Sequence, residues 1–329
     1  MKAIVQERFG PPDILRLTDI DRPEVGADQV SVRIRAAALN PYDWHMMRGD
    51  PYVARLSGVV GLTRPKTRVA GIDAAGEVEA VGAEVRGLRP GDEVMGFCPG
   101  SFAEFACTTA DLLVRKPANL TFEQAAAVPV AAVTALRGIR TVGRVKAGQR
   151  VLVNGAGGGV GTFAVQIAVA LGAEVTGVCS ARSVDLVRSL GAAHAVDYAR
   201  EDFTAGRTCY DVILDNVGNR PLRRLRRALT PAGTLLANGG GSPGRVFGAM
   251  GSMARLAAAD LVTRRRLRPI LPSPPSGPTH DDLLAVAALI ESGELTPVVD
   301  RTYPLADTAE GVRHMERGHA RGKAVITVR

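Results

Sequence analysis

Aromatic side chains are scarce in this chain: one Trp, five Tyr and eight Phe among 329 residues. That argues against recognition of nucleic acid by base stacking, which needs aromatic platforms. Cysteine is equally sparse. Cys98, Cys107, Cys179 and Cys209 show no CxxC spacing and no clustering, so neither a disulfide scaffold nor a zinc knuckle is expected. No run reaches the roughly 20 apolar residues of a spanning helix. Ala249 to Thr263 comes nearest, and Arg255 and Asp260 interrupt it. The opening Met1 to Arg8 carries charges where a signal peptide needs an apolar core. The expected compartment is the cytoplasm, with no integral membrane segment. Charge is not scarce: the net charge is +8. Part of the excess lies in Arg220–Arg227 and Arg264–Arg268. Such clusters attract phosphates, anionic membranes or nucleic acid. They equally describe a solvated helix face and a basic loop, and no specific nucleic-acid partner is expected.

What the chain does have is glycine in one telling place. Val151-Leu-Val-Asn154 runs into Gly155-Ala-Gly-Gly158-Gly159-Val160-Gly161, and a helical pattern follows from Thr162 to Leu171. Glycine permits a sharp turn and close approach of a bulky phosphate. A helix starting there aims unpaired N–H groups and a positive dipole end into the turn. The literal GxGxxG string is absent. The order strand, turn, helix and second strand at Glu174–Cys179 points to a dinucleotide and hence to redox chemistry. The competing reading is a purely structural turn. Gly155, Gly158, Gly159, Val160 and Gly161 are the candidate cradle.

The second strand ends in Cys179-Ser180-Ala-Arg182. An NAD site places Asp or Glu about 20 residues past the glycine turn, on the ribose 2′-OH. None stands here. Ser180 can bond a 2′-phosphate and Arg182 can neutralise it, so the expected cofactor is NADPH (NADP+). Alternatively, both residues merely start the next helix at Ser183.

Organisation follows from periodicity. The first third reads as short strands, Val30–Arg35, Gly76–Gly82 and Asp92–Met95, separated by Pro and Gly turns. That predicts a barrel-like all-β domain. From about Thr121, helical stretches at Phe122–Val128 and Val130–Arg140 precede a βαβ rhythm. Its strands are Arg150–Asn154, Glu174–Cys179, Ala195–Asp197, Asp211–Val217 and Thr234–Ala237. Thr162–Leu171, Ser183–Leu190 and Pro221–Ala228 are the helices between them. This rhythm predicts a doubly wound parallel sheet. Gly239–Pro278 is irregular, with one helix and an edge strand near Leu267–Leu271 expected. Asp281–Ser292 is amphipathic, and Lys323–Val328 is a final strand expected to return to the first domain. Asn216 ends a strand and Gly239 follows one, at the carboxyl ends where cofactor crevices lie.

The chain resembles the medium-chain dehydrogenases/reductases of the zinc-free quinone oxidoreductase and enone reductase group. The resemblance rests on Asn40-Pro-Tyr-Asp43, Gly71-Ile-Asp-Ala-Ala-Gly76, Arg89-Pro-Gly-Asp-Glu-Val94, Ala125–Ala135, the glycine turn, Ser189-Leu-Gly-Ala192, Asp215-Asn-Val-Gly218 and Gly318–Lys323. It implies a GroES-like β-barrel domain at 1–124 and 273–329, a Rossmann domain at 125–272, and a homodimer. It implies that Asn40 and Asp43 line the nicotinamide and substrate cleft, and that Thr134 approaches the nicotinamide. Tyr198 is implied as an adenosine-phosphate contact. Lys323 and Arg321 close over the phosphates or nicotinamide, or are surface charges.

In zinc alcohol dehydrogenases of this superfamily, Cys and His ligands are implied near positions 40 and 72. Asn40 and Ile72 stand here, and neither is a usual zinc ligand; no metal is expected. Without a Lewis acid, a conjugated acceptor is favoured: a small hydrophobic carbonyl compound or quinone. Tyr42, Tyr52 or solvent are candidate proton donors. His45 stands where the family commonly has Tyr and is an alternative proton donor, although a lone His is more often structural. Two alternatives remain: an NAD(P)-dependent alcohol or carbonyl dehydrogenase, and a non-catalytic NADPH- or RNA-binding protein.

Overall fold

The computed structural model describes residues 1–50, 52, 55, 61–206, 209–239, 266–269, 279–318 and 320–329. Two units emerge. One comprises Met1–Val133, Ser276–Gly293 and Pro297–Arg329; the other comprises Thr134–Pro275 and Glu294–Thr296.

The first unit opens with β1 (Lys2–Val5) and β2 (Arg16–Asp19), which pair antiparallel as a sheet of their own. The long β3 (Gln29–Ala38) leads into α1 (Pro41–Arg48). Then come β4 (Asp73–Val81), β5 (Glu93–Phe97), β6 (Phe105–Thr109), β7 (Leu113–Arg115) and α2 (Phe122–Ala126). The expected strands at 30–35, 76–82 and 92–95 fall within β3, β4 and β5 or one residue outside them. Their inward residues Val30, Val32, Ile34, Val78 and Val94 form part of one core. Two bulges shift the β3–β4 register, which bends the sheet.

The helix expected over Val130–Arg140 is not uniform. α3 (Pro129–Leu136) is α-helical, and Arg137–Val142 is a π-helical turn. The Gly143 N–H donates to Gly138 O at 2.8 Å, an i to i+5 bond. Gly143 has little room for a side chain: a Cβ there would stand 3.0 Å from Leu236 Cδ1.

The second unit alternates as the periodicity predicts. β8 (Arg150–Asn154), α4 (Gly159–Ala170), β9 (Glu174–Cys179), α5 (Val184–Ser189), β10 (His194–Asp197), β11 (Tyr210–Asp215), α6 (Leu222–Arg227), β12 (Leu229–Ala237) and β13 (Arg266–Pro269) follow in order. The sheet order is β10-β9-β8-β11-β12-β13, and every pairing is parallel. This is the Rossmann strand order, with its topological switch between β8 and β11. The central strands β8 and β11 carry the buried apolar runs Val151–Val153 and Val212–Leu214 because both their faces are covered. Leu152, Ile213 and Leu235 are buried together. α4 is apolar nearly all round, and its residues Gly161 to Ala168 are buried. The expected edge strand near Leu267 is β13. The helix expected within Gly239–Pro278, the apolar stretch Ala249–Thr263, and Arg264 and Arg265 of the second basic cluster lie outside the described residues. Among the described residues, no helix is long and apolar enough to cross a membrane.

The chain then returns to the first unit with α7 (His280–Glu291), β14 (Val299–Pro304), α8 (Thr308–Glu316) and β15 (Lys323–Thr327). A Thr279–Asp282 capping box starts α7. β15 pairs antiparallel with β3 and parallel with β14, completing the seven-stranded sheet β14-β15-β3-β4-β5-β7, with β6 joined to β3. The fold is therefore α/β, a GroES-like β-domain and a Rossmann domain.

Candidate functional site

Two constellations stand out, one in each unit. In the second unit, Gly155 leaves β8 at φ +80°, a conformation that favours glycine. The N–H groups of Gly155 and Ala156 both donate to Val178 O at 3.0 Å, pinning the turn to β9. Gly158 caps α4 in an extended conformation. A Cβ on Gly161 would fall 2.1 Å from Gly155 O, so only glycine lets the helix start so close to the strand. A Cβ on Gly157 would fall 2.8 Å from Ser183 Cβ. Gly158, Gly159 and Val160 are half-buried, and Gly161 is buried. The first N–H groups of α4 have no partners within the helix, and the dipole adds positive charge. The turn can thus hold an anion.

Ser180 and Arg182 follow β9 directly. Ser180 is half-buried at the start of a short 3-10 turn, and Arg182 is exposed. Asp197 aligns with Cys179 in the β10–β9 pairing. The Tyr198 N–H then donates to Cys179 O at 3.1 Å. Ser180 and Tyr198 therefore stand side by side at the carboxyl ends of neighbouring strands. Tyr198 is 44% exposed, which leaves its ring open to a ligand. Thr134 is half-buried in α3, and Gly239 adopts φ +67° after β12.

The carboxyl ends of β8, β11 and β12 are tied by polar side chains, of which sequence reasoning had singled out only Asn216. Asn154 Nδ2 donates to Asp215 Oδ1 at 2.8 Å, and the same oxygen accepts the N–H groups of Val217 and Gly218 at 3.1 and 2.8 Å. Asn216 Nδ2 donates to Asn154 O at 3.1 Å, and Asn238 Nδ2 to Asn216 Oδ1 at 2.8 Å. These bonds fix the switch-point crevice of the sheet. A signal was present: Asn154 and Asp215 are buried polar residues ending apolar strands.

In the first unit, pairing creates the other constellation. Ala38 of β3 lies opposite Asp73 of β4, and Val325 of β15 also pairs with Ala38. Asn40, Asp43, Asp73 and Lys323 consequently meet, each at least nine-tenths buried. Asp43 Oδ2 accepts the Asn40 N–H at 2.7 Å, the carboxylate half of a capping box. The Asn40 side chain faces elsewhere: Nδ2 donates to Asp73 Oδ2 at 3.0 Å, and Oδ1 accepts from Lys323 Nζ at 2.5 Å. Asp73 Oδ1 accepts the Val130 N–H at 3.0 Å. Burial pushes the Asp43 carboxyl up to about 7, and the neighbouring Asp73 carboxylate adds to this against the Asn40 N–H bond and Lys323. Burial also raises Asp73, opposed chiefly by Lys323.

Tyr42 is not part of this cluster; it is 42% exposed on α1. Partial burial and the Asp43 carboxylate raise its hydroxyl above the usual value, so it stays protonated. His45 stacks on Trp44 with ring centroids 3.8 Å apart, and burial lowers its imidazole. Lys323, expected as a cofactor contact or a surface charge, is 4% exposed and directed inward. Of the first basic cluster, Arg220 and Arg224 both pair with Asp202, at 3.3 and 2.8 Å.

Comparison with known proteins places the chain in a family. Residues 26–118 match the family described as alcohol dehydrogenase GroES-like domain, and residues 190–326 match the family described as zinc-binding dehydrogenase. A mitochondrial NAD(P)H oxidoreductase of Bos taurus is 34% identical, covering 100% of this chain and 89% of the relative. A chloroplastic NADPH-dependent alkenal/one oxidoreductase of Arabidopsis thaliana is 33% identical, covering 99% and 79%. The structure of a quinone oxidoreductase from Coxiella burnetii superposes with a TM-score of 0.87 at 30% identity, covering 100% of this chain and 99% of that one.

Proposed function

This chain belongs to the medium-chain dehydrogenase/reductase superfamily, in its quinone and enone reductase group, and on that premise we propose that it is an NADPH-dependent reductase of quinones or α,β-unsaturated ketones. The observation that carries the proposal is the β8–α4 turn, where Gly161 admits no Cβ and three successive half-buried residues present a helix N-terminus. Gly155, Gly158, Gly159, Val160 and Gly161 hold the pyrophosphate. Ser180, Arg182 and Tyr198 hold the 2′-phosphate side, and Asn216, Gly239 and Thr134 contact the rest of the cofactor. When bound, NADPH supplies a hydride to an acceptor whose conjugated carbonyl already makes it electrophilic.

Residues 1–124 and 273–329 form the catalytic domain in this assignment, and 125–272 the cofactor domain. Asn40, Asp43 and Tyr42 act on the acceptor side. A carboxyl titrating at about 7 retains a proton near neutrality, and the protonated Tyr42 hydroxyl, exposed on α1 outside the buried cluster, can donate one.

The reaction runs without zinc in this proposal. Asn40 and Ile72 offer no thiolate or imidazole, Asp73 is already paired with Lys323, and burial pushes the Cys98 thiol up. These residues do not fit a catalytic zinc site. We place the protein in the cytoplasm as a homodimer; four free cysteines suit a reducing compartment.

A steady-state screen with NADPH and NADH against small enones, quinones, aldehydes and alcohols tests the proposal. Turnover of enones or quinones with NADPH is the expected result. Activity confined to the carbonyl–alcohol couple would overturn it, as would stoichiometric zinc by elemental analysis. Sedimentation is expected at twice the 34.5 kDa chain mass.

A further inference from the structure

The buried lysine of the first unit is more than an ion pair. An ammonium group has three N–H donors. Those of Lys323 go to Leu39 O at 3.0 Å, Asn40 Oδ1 at 2.5 Å and Asp73 Oδ2 at 3.2 Å. A carbonyl, an amide and a carboxylate oxygen thus surround one positive charge. They come from the end of β3, the start of α1 and the start of β4. The register of β15 brings the ammonium there, since the Leu39 N–H donates to Ala324 O at 2.9 Å. No proton remains on Nζ for a phosphate oxygen.

We propose that the Lys323 ammonium is a resident cation that holds Asn40 and Asp43 in their working geometry, with Asp73 as its counter-ion. Lys323 is therefore a positioning residue, acting through Asn40 rather than on cofactor or substrate; this rests on the acceptor-side reading of Asn40 and Asp43. Asp73 accepts from this ammonium directly, while Asp43 is joined to it through Asn40, whose backbone N–H donates to Asp43 Oδ2 at 2.7 Å. Without it, the Asn40 amide oxygen and the Asp73 carboxylate lose their shared donor. The corner between β3 and α1 is then free to shift. A displacement on the ångström scale at a positioning group costs about 100-fold in rate.

The test uses the missing piece. Lys323→Ala keeps Cβ and lacks the length of n-propylammonium. The variant is expected to lose about 100-fold in kcat. NADPH affinity by calorimetry is expected to stay within about threefold of wild type. Added n-propylammonium should restore kcat saturably, better than ethylammonium, then methylammonium, with tetramethylammonium inert. It should also raise the thermal midpoint of Lys323→Ala saturably and leave wild type unchanged. Lys323→Met retains the stem without the charge and serves where the Ala variant fails to fold. It should show the same kcat loss without amine rescue.

A wild-type kcat in Lys323→Met would overturn the proposal. A midpoint of Lys323→Ala indifferent to n-propylammonium would do the same. NADPH binding weakened by more than about tenfold in either variant would assign Lys323 to the cofactor instead. The thermal rescue is read without turnover. It therefore decides the cation even if the wild-type protein reduces no acceptor, which would sink the acceptor reading alone.

Discussion

Two glycines in one turn are expected to fail in opposite ways. In Gly161→Ala, the new Cβ lies 2.1 Å from Gly155 O and 2.8 Å from Ala156 Cα, both backbone atoms. Ordinary contact begins near 3.4 Å, so the turn must retreat by more than 1 Å. Retreat breaks the bonds from Gly155 and Ala156 to Val178 O, each 3.0 Å long. Overpacking costs about 1–3 kcal/mol, and each lost bond about 1 kcal/mol. A loss of about 3 kcal/mol in unfolding free energy is the outcome, measured by urea titration with an unchanged slope. In Gly158→Ala, the nearest atom to the new Cβ is Gly155 O at 3.5 Å, and the backbone at φ −89°, ψ 178° suits alanine. Its stability should change by less than about 1 kcal/mol. The methyl instead stands beside the N–H groups that receive the pyrophosphate, and NADPH affinity by calorimetry should fall at least about tenfold. Wild-type affinity in Gly158→Ala would refute the placement of the phosphates. Wild-type stability in Gly161→Ala would refute the close strand–helix approach.

Three further outcomes follow from the same structure. Arg182→Ala should weaken NADPH binding about tenfold while NADH binding stays put; equal losses for both coenzymes would remove Arg182 from the 2′-phosphate. Asp43 sits above its unfolded value, at about 7, so it binds a proton in the native state that the unfolded chain has already released. Its contribution to stability is full below about pH 4 and is lost as pH rises through about 7. Asp43→Asn, which keeps an acceptor for the Asn40 N–H, should flatten the dependence of the thermal midpoint on pH in that window; an unaltered slope would show that Asp43 titrates elsewhere. Asp215→Ala leaves Asn154 Nδ2 and the N–H groups of Val217 and Gly218 without their shared acceptor. It should cost about 2–4 kcal/mol in urea unfolding, and a loss below 0.5 kcal/mol would contradict the tie.

The parts legible in the sequence are those set by short-range rules. Arg150–Asn154 and Glu174–Cys179 emerge with the bounds read from their apolar runs, because strands buried on both faces carry that signal undiluted. The glycine turn was legible because Gly155 needs a positive φ and Gly161 a bare Cα. What stayed hidden depends on partners far along the chain. Lys323 meets Asn40 across 283 positions, and only the register of β15 against β3 reveals it. The π-helical turn at Arg137–Val142 escaped because the helical pattern of Val130–Arg140 runs on without a break that marks the change from α to π.

The most direct test of the account follows an isotope. NADPH deuterated at nicotinamide C4 is incubated with the protein and a small α,β-unsaturated ketone, and the product is read by NMR. Deuterium at the β-carbon of a saturated ketone is the predicted result. Deuterium on the carbonyl carbon of an allylic alcohol, or transfer from the NADH analogue alone, would contradict it.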